Sequence, residues 1–518
     1  MPSVKPYLTT SGLVEAVKLT IGFPLSQQSL TFDNVVTFLN QELQLNAVPT
    51  LISEHAEYLV FKTIVPLVNG ISRYPIPDRA IGMTLRDLKF SDTNGNYYDI
   101  TRVAPDDKAF FQLSNSSNQT VGKFYLEGNE IVLTPQILAG ATGNLNMFFY
   151  LRPNHLVRDD RAAIIETFHK HIVISDNSAI SAGDTITITV GVQTPSPTSN
   201  TFFAVNSSAQ TIVSNSIAEQ TEITCTNNHD IPYSPDATSF TVTISGVTGS
   251  VPSINGTYTA TSTGPNTFTI PVQVTTAGTG GSYSIENQFQ IGGTANITAT
   301  NLNTAINAAG ISSISSLVTT NTVGVNYEQL SDTFEVSNDT AFTVDNETVI
   351  IKFDNLATSY TDPETDEVST LFEAGGYVDF LQTNPGHRTY TYDVELLEID
   401  GNYGTFDAEA LKTYLSNSSG GTKQFLQIKI GDYICLQNEC IIPQIPPELH
   451  HALAERAASR VLMAIGDREG YAVTAAKIAE MDKKQETLIG SRVESSVPKV
   501  FNRNSILRTG KSRFRRRY

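Results

Sequence analysis

From His171 to Ile351 the chain contains no lysine and no arginine. Such a stretch must keep its outer surface wet without long cationic side chains. The material it uses is Thr, Ser and Asn, set in runs such as Thr185-Ile186-Thr187-Ile188-Thr189-Val190 and Phe240-Thr241-Val242-Thr243-Ile244. Strict alternation of apolar and hydroxyl residues has the period of a strand with one face in a core and the other in water. Thirteen acidic residues, from Asp176 to Glu347, stand unopposed over the same interval and supply most of the chain's formal net charge of −18. The stretch reads as an inserted, mainly β module over residues 174–370, interrupted by a short helical pattern from Asn301 to Ala309 that Gly310 ends.

The flanks have another vocabulary. Leu13, Ala16 and Val17 after Ser11, then Val35, Phe38, Leu39 and Leu43 after Thr31 or Asp33, give two helical stripes. From Tyr58 the period becomes that of strands, as in Leu85 to Phe90, Lys123 to Leu126, Ile131 to Leu133 and Met147 to Leu151, and strands resume at Thr389 to Ile399 and Tyr433 to Leu436. After Pro446-Pro447 the pattern is helical again, broken at Gly466-Asp467, with alanines keeping the first helix slim. The expected fold class is α+β: a core of N- and C-terminal helices, an antiparallel β-sandwich or barrel domain, and the β insert. The expected division is residues 1–57 helical, 58–173 the first half of the β domain, 174–370 the insert, 371–445 the second half, 446–498 the C-terminal helices and 499–518 a tail.

At 518 residues the chain is long enough for roughly two to four domains. Its net charge disfavours nucleic acid and anionic membranes unless cations are gathered locally. They are gathered in the tail, where Lys499, Arg503, Arg508, Lys511, Arg513, Arg515, Arg516 and Arg517 occur without an acidic residue before the terminal Tyr518. Met1 to Thr20 lacks the apolar run of a secretory signal, and no segment approaches the roughly 20 apolar residues of a membrane span. Three cysteines, Cys225, Cys435 and Cys440, cannot close a disulfide framework.

Several residues capable of chemistry have plainer explanations. Cys435 and Cys440, with His450 and His451 behind them, are loosely spaced for zinc, and packing beside a hairpin explains them better. His169 and His171 alternate on one strand face behind Asp159-Asp160, yet no nucleophile accompanies them, so polar surface residues are expected. Asp106-Asp107 and the acids from Asp362 to Glu367 read as solvated loops. The chain has no P-loop, no HExxH and no nucleophile elbow, so no catalysis, cofactor or metal is expected.

Several stretches together resemble the head-to-tail adaptor (connector) proteins of tailed bacteriophages. They are Ser72-Arg73-Tyr74-Pro75-Ile76-Pro77-Asp78-Arg79-Ala80-Ile81-Gly82, Leu85-Arg86-Asp87-Leu88, Tyr125-Leu126-Glu127-Gly128-Asn129, Tyr150-Leu151-Arg152-Pro153-Asn154 and Gly431-Asp432-Tyr433. Pro443-Gln444-Ile445-Pro446-Pro447-Glu448-Leu449-His450, leading into Ala452 to Ala458 and Gly466-Asp467-Arg468-Glu469-Gly470, completes the set. The resemblance covers about residues 10–173 and 370–508. Within the insert, Thr241 to Gly246, Ile254 to Tyr258 and Phe268 to Ile270 are similar to a small β domain of phage structural proteins named after the first catalytic cysteine half-domain of ubiquitin-activating enzymes. Cys225, upstream of it, is expected to be a buried small apolar residue.

The resemblance implies a structural virion protein in the neck between portal vertex and tail, assembled in the host cytoplasm. It implies a ring of twelve copies that attaches to the portal protein, extends the DNA channel with transient DNA contact and carries downstream tail or neck proteins, with no membrane partner. The tail residues Lys499 to Tyr518 are then expected to dock on the portal. The rival expectation is a receptor-binding or capsid-decorating virion protein, for which the Thr/Asn-rich insert speaks and against which stand its few aromatics and the absence of Trp.

Overall fold

The hydroxyls of Thr9 and Thr31 start the first two helices, accepting the N–H groups of Gly12 at 3.4 Å and Asn34 at 3.2 Å and so satisfying donors that a helix start leaves open. The computed structural model describes residues 9–22, 30–55, 57–92, 96–105, 123–134, 143–191, 197–206, 210–229, 239–311, 314–382, 389–411, 413–414, 423–424 and 428–489. It is a mixed α+β fold, mostly β, with 42% strand and 24% helix. Its α-helices are α1 (Thr10–Thr20), α2 (Phe32–Glu42), α3 (Val48–Glu54), α4 (Ala295–Ala308), α5 (His450–Ile465) and α6 (Arg468–Ile489). The chain divides into two units, residues 1–159 with 441–518, and residues 160–440.

In the first unit α1, α2 and α6 each pack on α5. Leu13, Val14 and Val17 of α1, Val35, Val36 and Leu39 of α2, and Leu453, Ala457, Ala458 and Val461 of α5 are buried; the alanines let the helices approach closely. Between α2 and α3 the winding widens to a π-turn over Leu43–Ala47, Val48 donating to Leu43 O. The widening falls just before Pro49, which has no N–H to continue an α pattern.

Among the described residues, strands of this unit form two four-stranded sheets. Val60–Pro66, Asn144–Tyr150, Asp87–Ser91 and Tyr97–Asp99 lie antiparallel in that order; Arg73–Pro75, Glu130–Thr134, Lys123–Glu127 and Thr101–Arg102 make the second. The Gly128-Asn129 pair is the loop of a tight hairpin in which Glu127 faces Glu130, and Arg73 bridges both carboxylates at 2.6 and 2.8 Å.

A buried polar chain joins three segments far apart in sequence. Arg79, 6% exposed, donates to Asn154 Oδ1 at 3.0 Å. The Asn154 N–H donates to Gln444 Oε1 at 2.8 Å, and Thr10 N donates to Ile441 O at 2.8 Å. Segment 441–449, which leads into α5, is thereby held to α1 and to the loop after the 144–150 strand.

In the second unit the long strand Ala163–Ile174 is shared by several pairings. It bonds to Thr348–Phe353 on one side through Ile165 to His169, to Thr322–Tyr327 through Phe168 to Val173, and to Tyr433–Leu436 through Ala163 and Ile164. Because Thr348–Phe353 continues through Tyr403–Asp407, Thr389–Asp400 and Tyr377–Leu381 back to Tyr433–Leu436, the strands return on themselves. Ile165, Phe168, Ile351, Phe353, Phe380, Leu396, Phe406 and Ile434 belong to the core they enclose with α4 and the 185–190 sheet. A β-bulge between Ile165 and Thr167 switches the buried face from odd to even positions.

A closed barrel of six strands lies within residues 210–285, in the order Gln210–Asn215, Thr221–Cys225, Thr267–Ile270, Gly256–Gly264, Ser239–Ser245, Ser282–Ile285. Closure removes the strand edges that would otherwise recruit other chains. Inside are Ile223, Val242, Ile254, Ala260, Phe268 and Cys225; burial pushes the Cys225 thiol up to about 11, so it is a neutral packing residue, as the sequence suggests. Outside, hydroxyls pair across strands, Thr211 with Thr226 and Thr243 with Thr257, both at 3.0 Å, which is how a surface without Lys or Arg is solvated.

The strands group differently from the expected halves 58–173 and 371–445. Those of 60–66, 87–91, 97–99 and 144–150 pair with one another, whereas Ala163–Ile174 pairs with strands between 322 and 436. The range 174–370 is likewise not one graft, since Thr322–Tyr327 and Thr348–Phe353 flank Ala163–Ile174. The self-contained part is the barrel, whose first strand pairs with its last, Gln210 facing Tyr283. Replacing residues 210–285 by a short Gly-Ser linker is expected to leave one cooperative melt by circular dichroism, because the severed ends are neighbours. Loss of that transition would refute the barrel's independence.

Candidate assembly surface

Helices α5 and α6 form a hairpin whose turn is written in two residues. Gly466 ends α5 with φ 81, the left-handed cap that glycine adopts without strain. Asp467 then accepts the Gly470 N–H at 2.9 Å and opens α6. The hairpin is fastened by three ion pairs, of which Glu42–Arg460 is the most buried. Arg460 of α5 meets Glu42 of α2, a carboxylate only 5% exposed, which also accepts from Asn46 at 2.6 Å. Lys477 of α6 meets Glu455, and Arg456 meets Asp482 at 2.6 Å.

The exposed side of the hairpin carries charges, Asp467, Arg468, Glu469 and the Glu480–Lys484 pair among them, together with large apolar side chains. Met463 is 61% exposed, Ile465 51%, Tyr471 41% and Val473 67%, and Ala464, Ala472, Ala476 and Ala479 are exposed beside them. Large apolar side chains at one helix turn, continued by alanines along α6, make a surface suited to packing against another protein.

The structure places the other sequence candidates as follows. Lys499, Arg503, Arg508, Lys511, Arg513, Arg515, Arg516, Arg517 and Tyr518 lie outside the described residues, as does the Asp106-Asp107 pair. Cys435 is fully buried in its strand, and burial, reinforced by nearby Cys440, pushes its thiol well above the ordinary range. His450 is buried with Nε2 at 3.2 Å from Ile445 O, and His451 is exposed. Asp362 caps a hairpin loop, accepting Glu364 N at 2.7 Å, between Ser359–Thr361 and Val368–Thr370. Asp159 accepts the Ser11 N–H at 3.1 Å.

His169 and His171 do meet. Their rings stand edge to face with centroids 4.8 Å apart, and His169 Nδ1 lies 2.7 Å from Asn326 Oδ1. Burial lowers the pKa of both, the Asn326 bond pulling His169 the other way. Among the described residues no group of three or more His, Cys, Asp or Glu is placed to hold a metal ion, and no helix is long and apolar enough to cross a membrane.

Sequence reasoning missed two buried polar groups. Asp379, fully buried, accepts the N–H groups of Asp393 and Asn438, both at 3.0 Å, and both of those residues have positive φ. His229, also fully buried, lies between the Phe240 and Phe268 rings with Nε2 3.1 Å from Thr267 O. Neither sits in a motif; each is defined by contacts across strands.

No model of a known protein family matches the chain, and no curated protein matches it.

The hairpin's clamp is testable. Arg460→Ala leaves the Glu42 carboxylate buried without its cation and is expected to lower stability by about 3–5 kcal/mol in denaturant unfolding. A loss below about 1 kcal/mol would place the pair with ordinary surface bridges.

Proposed function

We propose that this chain is a structural subunit of a head-to-tail adaptor ring in a tailed phage, binding the portal above and tail or neck proteins below. The observation that carries the reading is the group of exposed apolar side chains Met463, Ile465, Tyr471 and Val473 on the α5–α6 hairpin, whose scaffold is clamped by Glu42–Arg460, Glu455–Lys477 and Arg456–Asp482. A ring needs a heterologous contact, one patch of a subunit meeting a different patch of the next. A helical hairpin clamped by its own ion pairs and exposing large apolar side chains supplies one side of such a contact.

The adaptor-like motifs add support of another kind. Residues drawn from three of them, Arg79, Asn154 and Gln444, form the buried polar chain of the first unit. In this reading the sequence stretches that resemble adaptors are those that hold the strands to the hairpin, and twelve copies close the ring around the DNA channel. The role asks for no reaction and no cofactor, and it places the protein in the neck of the virion.

Two experiments test it. Val473→Asp with Met463→Asp puts charge on exposed sites, so the variant is expected to melt with the parent yet to sediment as monomer where the parent forms rings in negative-stain images. Rings that persist unchanged would refute this face as the subunit contact. Deleting residues 509–518, with their five cations among Lys511 to Arg517, is expected to leave rings that no longer attach to DNA-free portals. Unchanged attachment would refute portal docking and leave DNA, whose binding falls steeply with salt, or an idle tail.

A further inference from the structure

We propose that His169 and His171 form a two-nitrogen site for a late first-row divalent transition ion, Cu2+ ahead of Ni2+ and Zn2+, with water or an external ligand completing its coordination. The proposal is independent of the adaptor reading.

Residues two apart on a strand project to the same side, and after the bulge at Ile165/Thr167 that side is the outer face of Ala163–Ile174. His171 is exposed there and His169 half-buried. An ion bound at about 2.0–2.1 Å lies about 3.2 Å from an imidazole centroid, so two centroids 4.8 Å apart subtend about 100° at a shared ion. That falls between the square-planar and tetrahedral angles, and an all-nitrogen pair with open positions suits Cu2+, which also heads the affinity order for such ligands.

The orientation of His169 is built, not incidental. Asn326 is its register partner on the neighbouring strand, and the Asn326 amide nitrogen lies 3.5 Å from Ser315 Oγ, which turns Oδ1 toward the ring. His169 Nδ1–H therefore donates to Asn326 Oδ1 at 2.7 Å, and the Nε2 lone pair is the free one. An outer partner that fixes tautomer and ring direction is what ligand histidines use. Nε2 lies over Gly324, where a Cβ would stand 2.8 Å from it, and Gly324 is the residue directly opposite His171. The missing side chain at 324 is what leaves room for the free nitrogen of His169 at the position opposite His171.

The surroundings leave the pair available. Tyr403 stacks against His169 at 5.3 Å between centroids, and the nearby Lys352 Nζ and Glu166 Oε2 are joined to each other at 2.7 Å.

The test uses the full chain titrated with CuCl2 at neutral pH, followed by calorimetry and electron paramagnetic resonance. The parent is expected to bind one ion with hyperfine structure from two imidazole nitrogens. His171→Ala, at an exposed site, is expected to keep the parent's melting temperature and lose that signal. Asn326→Ala is expected to retain two nitrogens but bind roughly 10- to 100-fold more weakly, as loss of an orienting partner does. A parent that binds no Cu2+, or a His171→Ala variant with the parent's affinity and spectrum, overturns the site; an Asn326→Ala variant of undiminished affinity overturns the orienting role.

Discussion

The first unit depends on the buried guanidinium of Arg79. Its donation to Asn154, and the donation of Asn154 to Gln444, tie a loop between strands, the end of the 144–150 strand and the segment that leads into α5. A buried cation is tolerated only where its donors are met. The fold around Arg79 is therefore over-determined, and the approach to α5 cannot shift without stranding polar groups that packing alone does not protect. The same logic recurs at α2, where Glu42 is buried against Arg460 and Asn46. In both places a polar contact selects one arrangement among the many that apolar helix packing would accept.

Features visible in the sequence are those with local causes. The break at Gly466-Asp467, the cap at Thr31 and the Thr/Val alternation of residues 185–190 and 240–244 each follow from a few adjacent residues, and each appears where expected. The helix expected from Asn301 begins earlier, at Ala295, because Thr294 caps it by accepting from Ile297 N. The π-turn before Pro49 was not legible, since a proline also allows a simple helix end there. The limits of the insert were hidden for another reason. Thr348–Phe353 looks like any strand, and only its pairing with Ala163–Ile174, far away in sequence, makes it part of the host. The His169–His171 pair was legible as an alternation, but Asn326 and Gly324, which give it direction, are neighbours only by register.

The composition of the second unit has a physical corollary. Cross-strand hydroxyl pairs such as Thr187 with Thr201 at 3.0 Å take the place that Lys–Glu pairs hold on ordinary sheets. Hydroxyl pairs are neutral, so they neither attract anions nor weaken as salt rises. The thirteen carboxylates of residues 171–351 meet no lysine or arginine from within that stretch, and such an excess of negative charge disfavours approach between copies. The edge strand Ser315–Thr319 is guarded similarly: the Asn307 side chain accepts from Ser316 N and donates to Ser316 O, both at 3.1 Å, so a group through which another strand would add is already occupied.

Copies of a chain with net charge −18 repel at long range, and at physiological ionic strength that repulsion is screened beyond about 8 Å. Self-association of such a chain would have to rest on short-range contact. On the α5–α6 hairpin Glu455 and Asp482 are paired with Lys477 and Arg456, and Met463, Ile465, Tyr471 and Val473 are exposed beside Asp467 and Glu469. Burying such side chains gains roughly 25 cal/mol per Å2 of apolar surface removed from water, a gain that salt does not erode. In the adaptor-ring reading, an excess of negative charge on the second unit would make non-specific association unfavourable, and the exposed apolar side chains of the hairpin would be where subunits meet.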